Sequence, residues 1–242
     1  DDDIDIAMLR PDYDRFLEII KREWKDKYVL KIPGETGNYT MPFTKILNTD
    51  TISFEVTDLL KFHGCPYITG IDIFPLDIIP DAEGERNALI ELYHFLANAI
   101  HQEKEYPEEV RDNLNIIEEL CRYKIDRNDD IGKQLRMLAE MICKSYMGTD
   151  NSDLMMLSFD SNIILKKAWY QETEWKNFET MKLSVPKFYH EVLTAWYGDY
   201  MTPVQGAAQH DYPFYKKQMK LMEQNMALKK YGIDISEITK EE

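Results

Sequence analysis

The sequence predicts an α+β protein, a small mixed sheet with flanking helices and a helical insert. Two observations predict it. Segments with apolar residues at every second position lie in the first third of the chain, and apolar stripes at helical spacing fill the middle. Strands therefore come early and helices later, without the strict alternation of a parallel α/β protein.

Residues 1–8 alternate acid and apolar after an aspartate triplet, with Asp3 and Asp5 on one face and Ile4 and Ile6 on the other, the period of a half-buried strand. Pro11 suits the first turn of a helix, and Asp12 and Asp14 favour its positive end. Tyr13, Phe16, Leu17, Ile20 and Trp24 follow at helical spacing. Residues 33–42 hold Gly and Pro and read as a loop or hairpin. Ile52, Phe54 and Val56 alternate with Ser53, Glu55 and Thr57 and predict a second strand. Residues 67–74 predict another, with Ile71 and Ile73 on one side, Gly70 and Asp72 on the other, and Pro75 as its end.

From residue 86 to 146 the period changes to that of a helix. Leu89, Leu92, Leu96 and Ile100 form one stripe, Val110, Leu114, Ile117 and Cys121 a second, and Ile131, Leu135, Leu138 and Ile142 a third. Residues 154–185 are mixed, with Lys166, Lys167, Trp169 and Trp175 close in sequence and a short strand expected over 181–185. Pro186 opens a helix with Tyr189, Val192, Leu193 and Trp196 on its apolar side and Gly198 as its C-terminal cap. A turn-rich stretch, 199–213, leads to a last helix striped by Tyr215, Met219, Met222 and Met226 and closed near Gly232.

Composition narrows the function. Forty-four acidic side chains against 29 basic ones give a formal charge of -15 among 242 residues, which excludes nucleic acid as a default partner, since gripping phosphate backbones needs a cationic face. A hydrophobic fraction of 44 %, of which the 12 % aromatic residues are part, is ample for a core. No run of about 18 apolar residues spans a bilayer. Cys65, Cys121 and Cys143 lie far apart and read as buried hydrophobes in a reduced, cytoplasmic setting. The chain opens on Asp1 without an initiator methionine, so further residues are expected upstream.

The acidic strand carries the chemistry. Carboxylates two residues apart on a strand point the same way, roughly 6.5 Å apart along the backbone, and can converge on a hard cation. Asp3 and Asp5 are the expected ligands, and Asp72, isolated between two isoleucines beside a glycine, is the best-placed third carboxylate from a neighbouring strand. A solvated acidic tail would need no buried opposite face, and an EF-hand loop would need Gly where Ile6 stands and Glu where Asp12 stands. Arg10 and Lys45, the latter just ahead of Thr49, Asp50 and Thr51, are the basic residues placed to meet phosphate. The segment 196–203 gathers Trp196, Tyr197 and Tyr200 at a turn, with His210 and Asp211 beyond, and could stack on a base or receive a quaternary ammonium. No hydrolase elbow, P-loop or dinucleotide fingerprint is present.

Four ordered motifs, DDDIDIAMLRPDYDRF (1–16), GIDIFPLDIIP (70–80), FETMKLSVPKFYHEVLTAWYGDYMTP (178–203) and QHDYPFYK (209–216), resemble the LicD family of phosphotransferases, distantly similar to the fukutin-type enzymes. The resemblance covers both ends of the chain and leaves the helical middle poorly matched. It implies a nucleotidyltransferase-like fold with a catalytic core over 1–85, a helical insert over 86–150, and a C-terminal part of the core, with the aromatic turn and terminal helices, over 151–242. It implies magnesium, with manganese as the alternative, and transfer of a phospho-alcohol, typically phosphocholine from CDP-choline, to a hydroxyl of a bacterial surface glycan or its lipid-linked precursor, teichoic acid or lipopolysaccharide. The family's D-x-D pair falls on Asp3 and Asp5, its DIFPLD strand on Asp72 with Asp77, and its YGDYMTP turn on residues 197–203. The family's Gly-rich segment and the Trp ahead of the acidic run have no counterpart here.

On that reading Asp3, Asp5 and Asp72 are metal ligands and catalytic residues, while Arg10, Lys45, Thr51, Asp77, Tyr197, Tyr200 and His210 bind substrate. The protein would work in the cytoplasm, at the inner face of the membrane through peripheral contact. Two alternatives stand beside it: a D-x-D nucleotide-sugar glycosyltransferase, and a nucleotide-binding module without catalysis.

Overall fold

The apolar alternation of the first strand is used on both faces of a sheet, and this decides where everything else packs. A computed structural model describes residues 4–202, apart from 38, 40, 54 and 62–67. Among these residues the chain is α+β, with six α-helices, a six-stranded sheet and a separate two-stranded ribbon.

β1 (Asp5–Leu9) leads without a break into α1 (Arg10–Glu23), which has Pro in its first turn, Asp12 beside it, and Lys21 and Arg22 in its last turn, each charge complementing the helix dipole. β2 (Val29–Lys31) and β3 (Thr44–Leu47) form an antiparallel pair around the predicted loop, and a short α2 (Val56–Lys61) follows. β4 (Gly70–Ile79) is the central strand. It pairs in parallel with β1 and antiparallel with β3 over its first part and β5 (Asp153–Met156) over its last. β6 (Asp160–Lys166) completes the sheet beside β5. Gly70 lets β3 approach closely: a Cβ there would lie 2.5 Å from Leu47 Cδ2 and 2.7 Å from the Ile46 carbonyl.

Pro75 does not end β4, contrary to the sequence expectation. The Asp72 N–H donates to Ile4 O, so alternation aims the backbone nitrogen of residue 75 at the opposite edge. That edge has no ladder there, because β4 pairs with β3 only as far as Ile73 and with β5 only from Asp77 on, and Ser158 Oγ meets Pro42 O between them. A missing N–H costs nothing at such a gap. The strand expected over 52–57 is also corrected. Val56 opens α2, and the Ser53 hydroxyl accepts from Glu55 N and donates to Asp58, so the polar residues of that alternation shape a helix entry. Phe54 lies outside the described residues.

The two faces of β4 take different covers. Ile71 and Ile73 face α1, where Tyr13, Phe16, Leu17 and Ile20 pack. Ile79, Met155 and Leu157 continue that face into α3 (Glu83–Glu105), α4 (Pro107–Cys121) and α5 (Ile131–Cys143), so the three helices share one core with the sheet. The predicted stripes point inward: Leu89, Leu96, Val110, Leu114, Ile117, Leu135 and Leu138 are buried. The opposite face, Phe74, Leu76 and Ile78, packs with Leu154, Met156, Leu165, Trp169, Tyr170 and, from α6 (Tyr189–Tyr197), Ala195 and Trp196. Gly198, at a positive φ of 64°, closes α6 as predicted. β7 (Thr173–Phe178) and β8 (Met181–Pro186) make a hairpin with a two-residue turn, Glu179 taking the left-handed conformation. β8 matches the strand expected there, while β5, β6 and β7 replace the mixed segment.

Cys121 is half-buried and Cys143 buried, burial raising both thiols, in line with a packing role; Cys65 lies outside the described residues. Among the described residues no helix is long and apolar enough to cross a membrane. The predicted last helix also lies outside them.

Candidate functional site

Parallel pairing of β1 with β4 sets Asp5 directly against Asp72, and the antiparallel pairing of β3 with β4 sets Lys45 against the same Asp72. Cross-strand partners project to one face of a sheet, with backbones about 5 Å apart, so these three side chains form a row across three strands. Asp72 is 6 % exposed, and Lys45 Nζ donates to its Oδ2 at 2.6 Å. The next row on the same face is Ala7, Phe74 and Phe43, where the rings of Phe43 and Phe74 stand 4.4 Å apart. Phe159 closes on both rings, and the Lys45 ammonium lies 5.2 Å from the Phe43 centroid. A charged row thus borders an aromatic wall.

Two tyrosines report the charge of the row. The Tyr197 phenol, at the end of α6, is raised above its ordinary pKa by partial desolvation and by the Asp5 carboxylate. Tyr39 is raised by burial, with Asp72 and Tyr13 adding to it, and its hydroxyl donates to Phe43 O. Tyr39 and Phe159 were not singled out by sequence; their common signal is position, each in a loop at the end of a strand that faces β4. Tyr200 pairs its hydroxyl with His190 Nδ1 at 3.0 Å, one turn beyond Tyr197.

Arg10 and Asp77 are not brought to this row. Asp77 is five residues after Asp72 on one continuous strand, so it projects to the opposite face. There Arg10 Nε reaches Asp77 Oδ1 at 2.6 Å and Nη2 reaches Oδ2 at 3.1 Å, with Nη1 on Glu140 at 2.8 Å. The pair is 2 % and 0 % exposed. Burial works against the Arg10 charge, but Asp77 and Glu140 outweigh it and hold the guanidinium above its ordinary pKa; burial pushes Asp77 up to about 6 against the pull of Arg10. Thr51 is exposed and bonded to Thr49. Asp3 and His210 lie outside the described residues.

For a hard cation the described residues offer Asp5 and Asp72, two carboxylates side by side, and this donor set suits magnesium or manganese, which take oxygen ligands and keep open positions. No group of three His, Cys, Asp or Glu side chains at metal spacing occurs among the described residues.

Over 205 residues, 83 % of its length, the chain is 25 % identical to the lipopolysaccharide cholinephosphotransferase LicD of Haemophilus influenzae, of which the match covers 74 %. No family model matches the chain, and no solved structure matches it.

Proposed function

We propose that the Asp5, Asp72 and Lys45 row carries out metal-dependent transfer of a phospho-alcohol, in the first instance phosphocholine from CDP-choline, to a hydroxyl of a bacterial cell-surface glycan or its lipid-linked precursor. The observation that carries the reading is the register pairing of Asp5 with Asp72, with Lys45 Nζ 2.6 Å from the second carboxylate. Similarity to a cholinephosphotransferase supports the transferred group and the acceptor class.

Asp5 and Asp72, with Asp3 beside them in sequence, would hold a divalent cation, which when bound neutralises the donor's diphosphate. The chain's own residues supply the rest. Lys45 swings from Asp72 to a phosphate oxygen and offsets negative charge as the bridging oxygen becomes a leaving group. The acceptor hydroxyl attacks the choline-side phosphorus, its proton passes to the Asp72 carboxylate, and the bond to the bridging oxygen breaks to release CMP. Tyr197, close enough to feel Asp5, and Tyr200 line the approach. The enzyme would act in the cytoplasm at the inner membrane face, where lipid-linked acceptors are presented.

The test is CMP release from CDP-choline with magnesium and a glycan acceptor, compared among the wild type, Asp5→Asn and Asp72→Asn. Each variant should lose at least about a hundredfold in turnover while keeping its circular dichroism. Near wild-type release by either would remove that residue from the site. Release of a whole nucleoside diphosphate from a nucleotide sugar would favour glycosyl transfer, and CDP-choline binding without turnover a non-catalytic module.

A further inference from the structure

The register that makes the candidate site is one that β1 has poor reason to choose. After Asp5 the strand reads Ile6, Ala7, Met8, Leu9, apolar on both faces, so a one-residue slip against β4 would still bury apolar side chains on each side. The observed register moreover places two carboxylates opposite each other, a repulsion that Lys45, bonded to Asp72 from β3, offsets only in part.

What favours it lies one position beyond the paired residues. Leu9 pairs with Leu76, so Arg10 stands next to Asp77 in the same register, and the two side chains meet through two parallel N–H···O bonds of 2.6 and 3.1 Å. A guanidinium fork accepts a carboxylate in one geometry, and a slip of either strand would turn Asp77 away from it. Glu140 of α5 takes the third nitrogen at 2.8 Å, and Lys144 ties Glu140 to Asp14 of α1. The fork is therefore fixed from the helix layer as well as from the sheet.

We infer that Arg10 and Asp77 are a positioning pair, a register lock that holds Asp5 opposite Asp72 from the far face of the sheet. The inference concerns how the candidate site is assembled, and its link to cation binding rests on the function proposed above.

Removing one partner would bury an unpaired charge and could simply unfold the chain. The informative variant is the double replacement Arg10→Met with Asp77→Leu, which removes both charges and keeps the volume apolar. Two readouts are made on the wild type and on this variant: manganese affinity by calorimetry, and hydrogen exchange at the Asp72 amide, whose bond to Ile4 O reports the pairing of β1 with β4. With the melting temperature retained, a register lock predicts lost protection at Asp72 and manganese affinity weaker by about tenfold or more. Unchanged protection and affinity would overturn it. If the wild type binds no manganese, the metal site fails as a functional reading, and exchange at Asp72 alone decides the lock. Should the double variant not fold, Arg10→Lys, which keeps the charge but not the fork, takes its place under the same criteria.

Discussion

Lys45 Nζ lies 2.6 Å from Asp72 Oδ2 across a register pair of β3 and β4, with the ammonium over the Phe43 ring. The contact is one-third exposed on the lysine side, so its worth to folding is modest and its placement matters more for chemistry. Lys45→Met should leave the melting temperature within a few degrees and lower CMP release by about ten- to a hundredfold, with Lys45→Arg recovering part of it. Equal turnover in Lys45→Met and the wild type would take the lysine out of the mechanism.

Tyr197 gives a spectroscopic view of Asp5. Its phenol is raised partly by the Asp5 charge, so Asp5→Asn should let its pKa fall toward the ordinary value. Nuclear magnetic resonance titration of carbon-labelled tyrosine, with Tyr197→Phe to assign the signal, measures this. A Tyr197 pKa indifferent to the substitution would mean that the aromatic turn sits away from the acidic strand.

Asp77 predicts a pH slope of definite sign. Its pKa of about 6 in the fold, against 3.8 ordinarily, means that between those values the folded chain keeps a proton that the unfolded chain has released. Stability from this group therefore falls as pH rises from about 4 to 6 and is level above that. The melting temperature of the wild type minus that of the Arg10→Met, Asp77→Leu double variant should fall across that window. A difference that grows with pH would show that Arg10 stabilises the carboxylate by more than burial costs it.

The helices were the most legible part of the chain, because each stripe had three or four apolar residues whose burial needed no knowledge of the partner. Pro75 was misleading for a reason outside its own segment: whether a proline breaks a strand depends on which edge its nitrogen faces, and that is set by β3 and β5. The alternation at 52–57 was too short to outweigh the side-chain bonds of Ser53. In the site, the meeting of Asp5 and Asp72 could be anticipated from carboxylates on two extended segments, whereas nothing in the sequence around Lys45 marked the strand that brings it to Asp72. The separation of Asp77 from Asp72 could have been read as well, had β4 been carried through Pro75, since an odd spacing reverses the face. Nothing local marked Arg10 as a buried ion-pair partner; Glu140 and Asp77 are 130 and 67 residues away from it in sequence.

Glu118 is the group whose titration should act in the opposite direction from Asp77. It sits in the last turn of α4 and accepts from the Ile125 amide at 2.7 Å, from Lys124 at 3.3 Å and from Arg127, so one carboxylate gathers the connection that follows the left-handed Arg122. The hydrogen bond from Arg127, outweighing desolvation and aided by the Ile125 amide and Lys124, lowers its pKa to about 2 from 4.5. A depressed carboxylate contributes stability that is whole above about pH 4.5 and is lost as the pH falls toward 2. Glu118→Gln keeps an acceptor for the Ile125 amide but removes the charge, so it should erase this part of the acid limb while changing little at neutral pH. Exchange protection of the Ile125 amide, followed from pH 5 to 3 in both proteins, isolates the local effect from general acid unfolding. Protection that declines in the wild type and starts lower but stays flat in Glu118→Gln is the expected pattern, and parallel decline in both would assign the connection's order to the backbone rather than to this carboxylate.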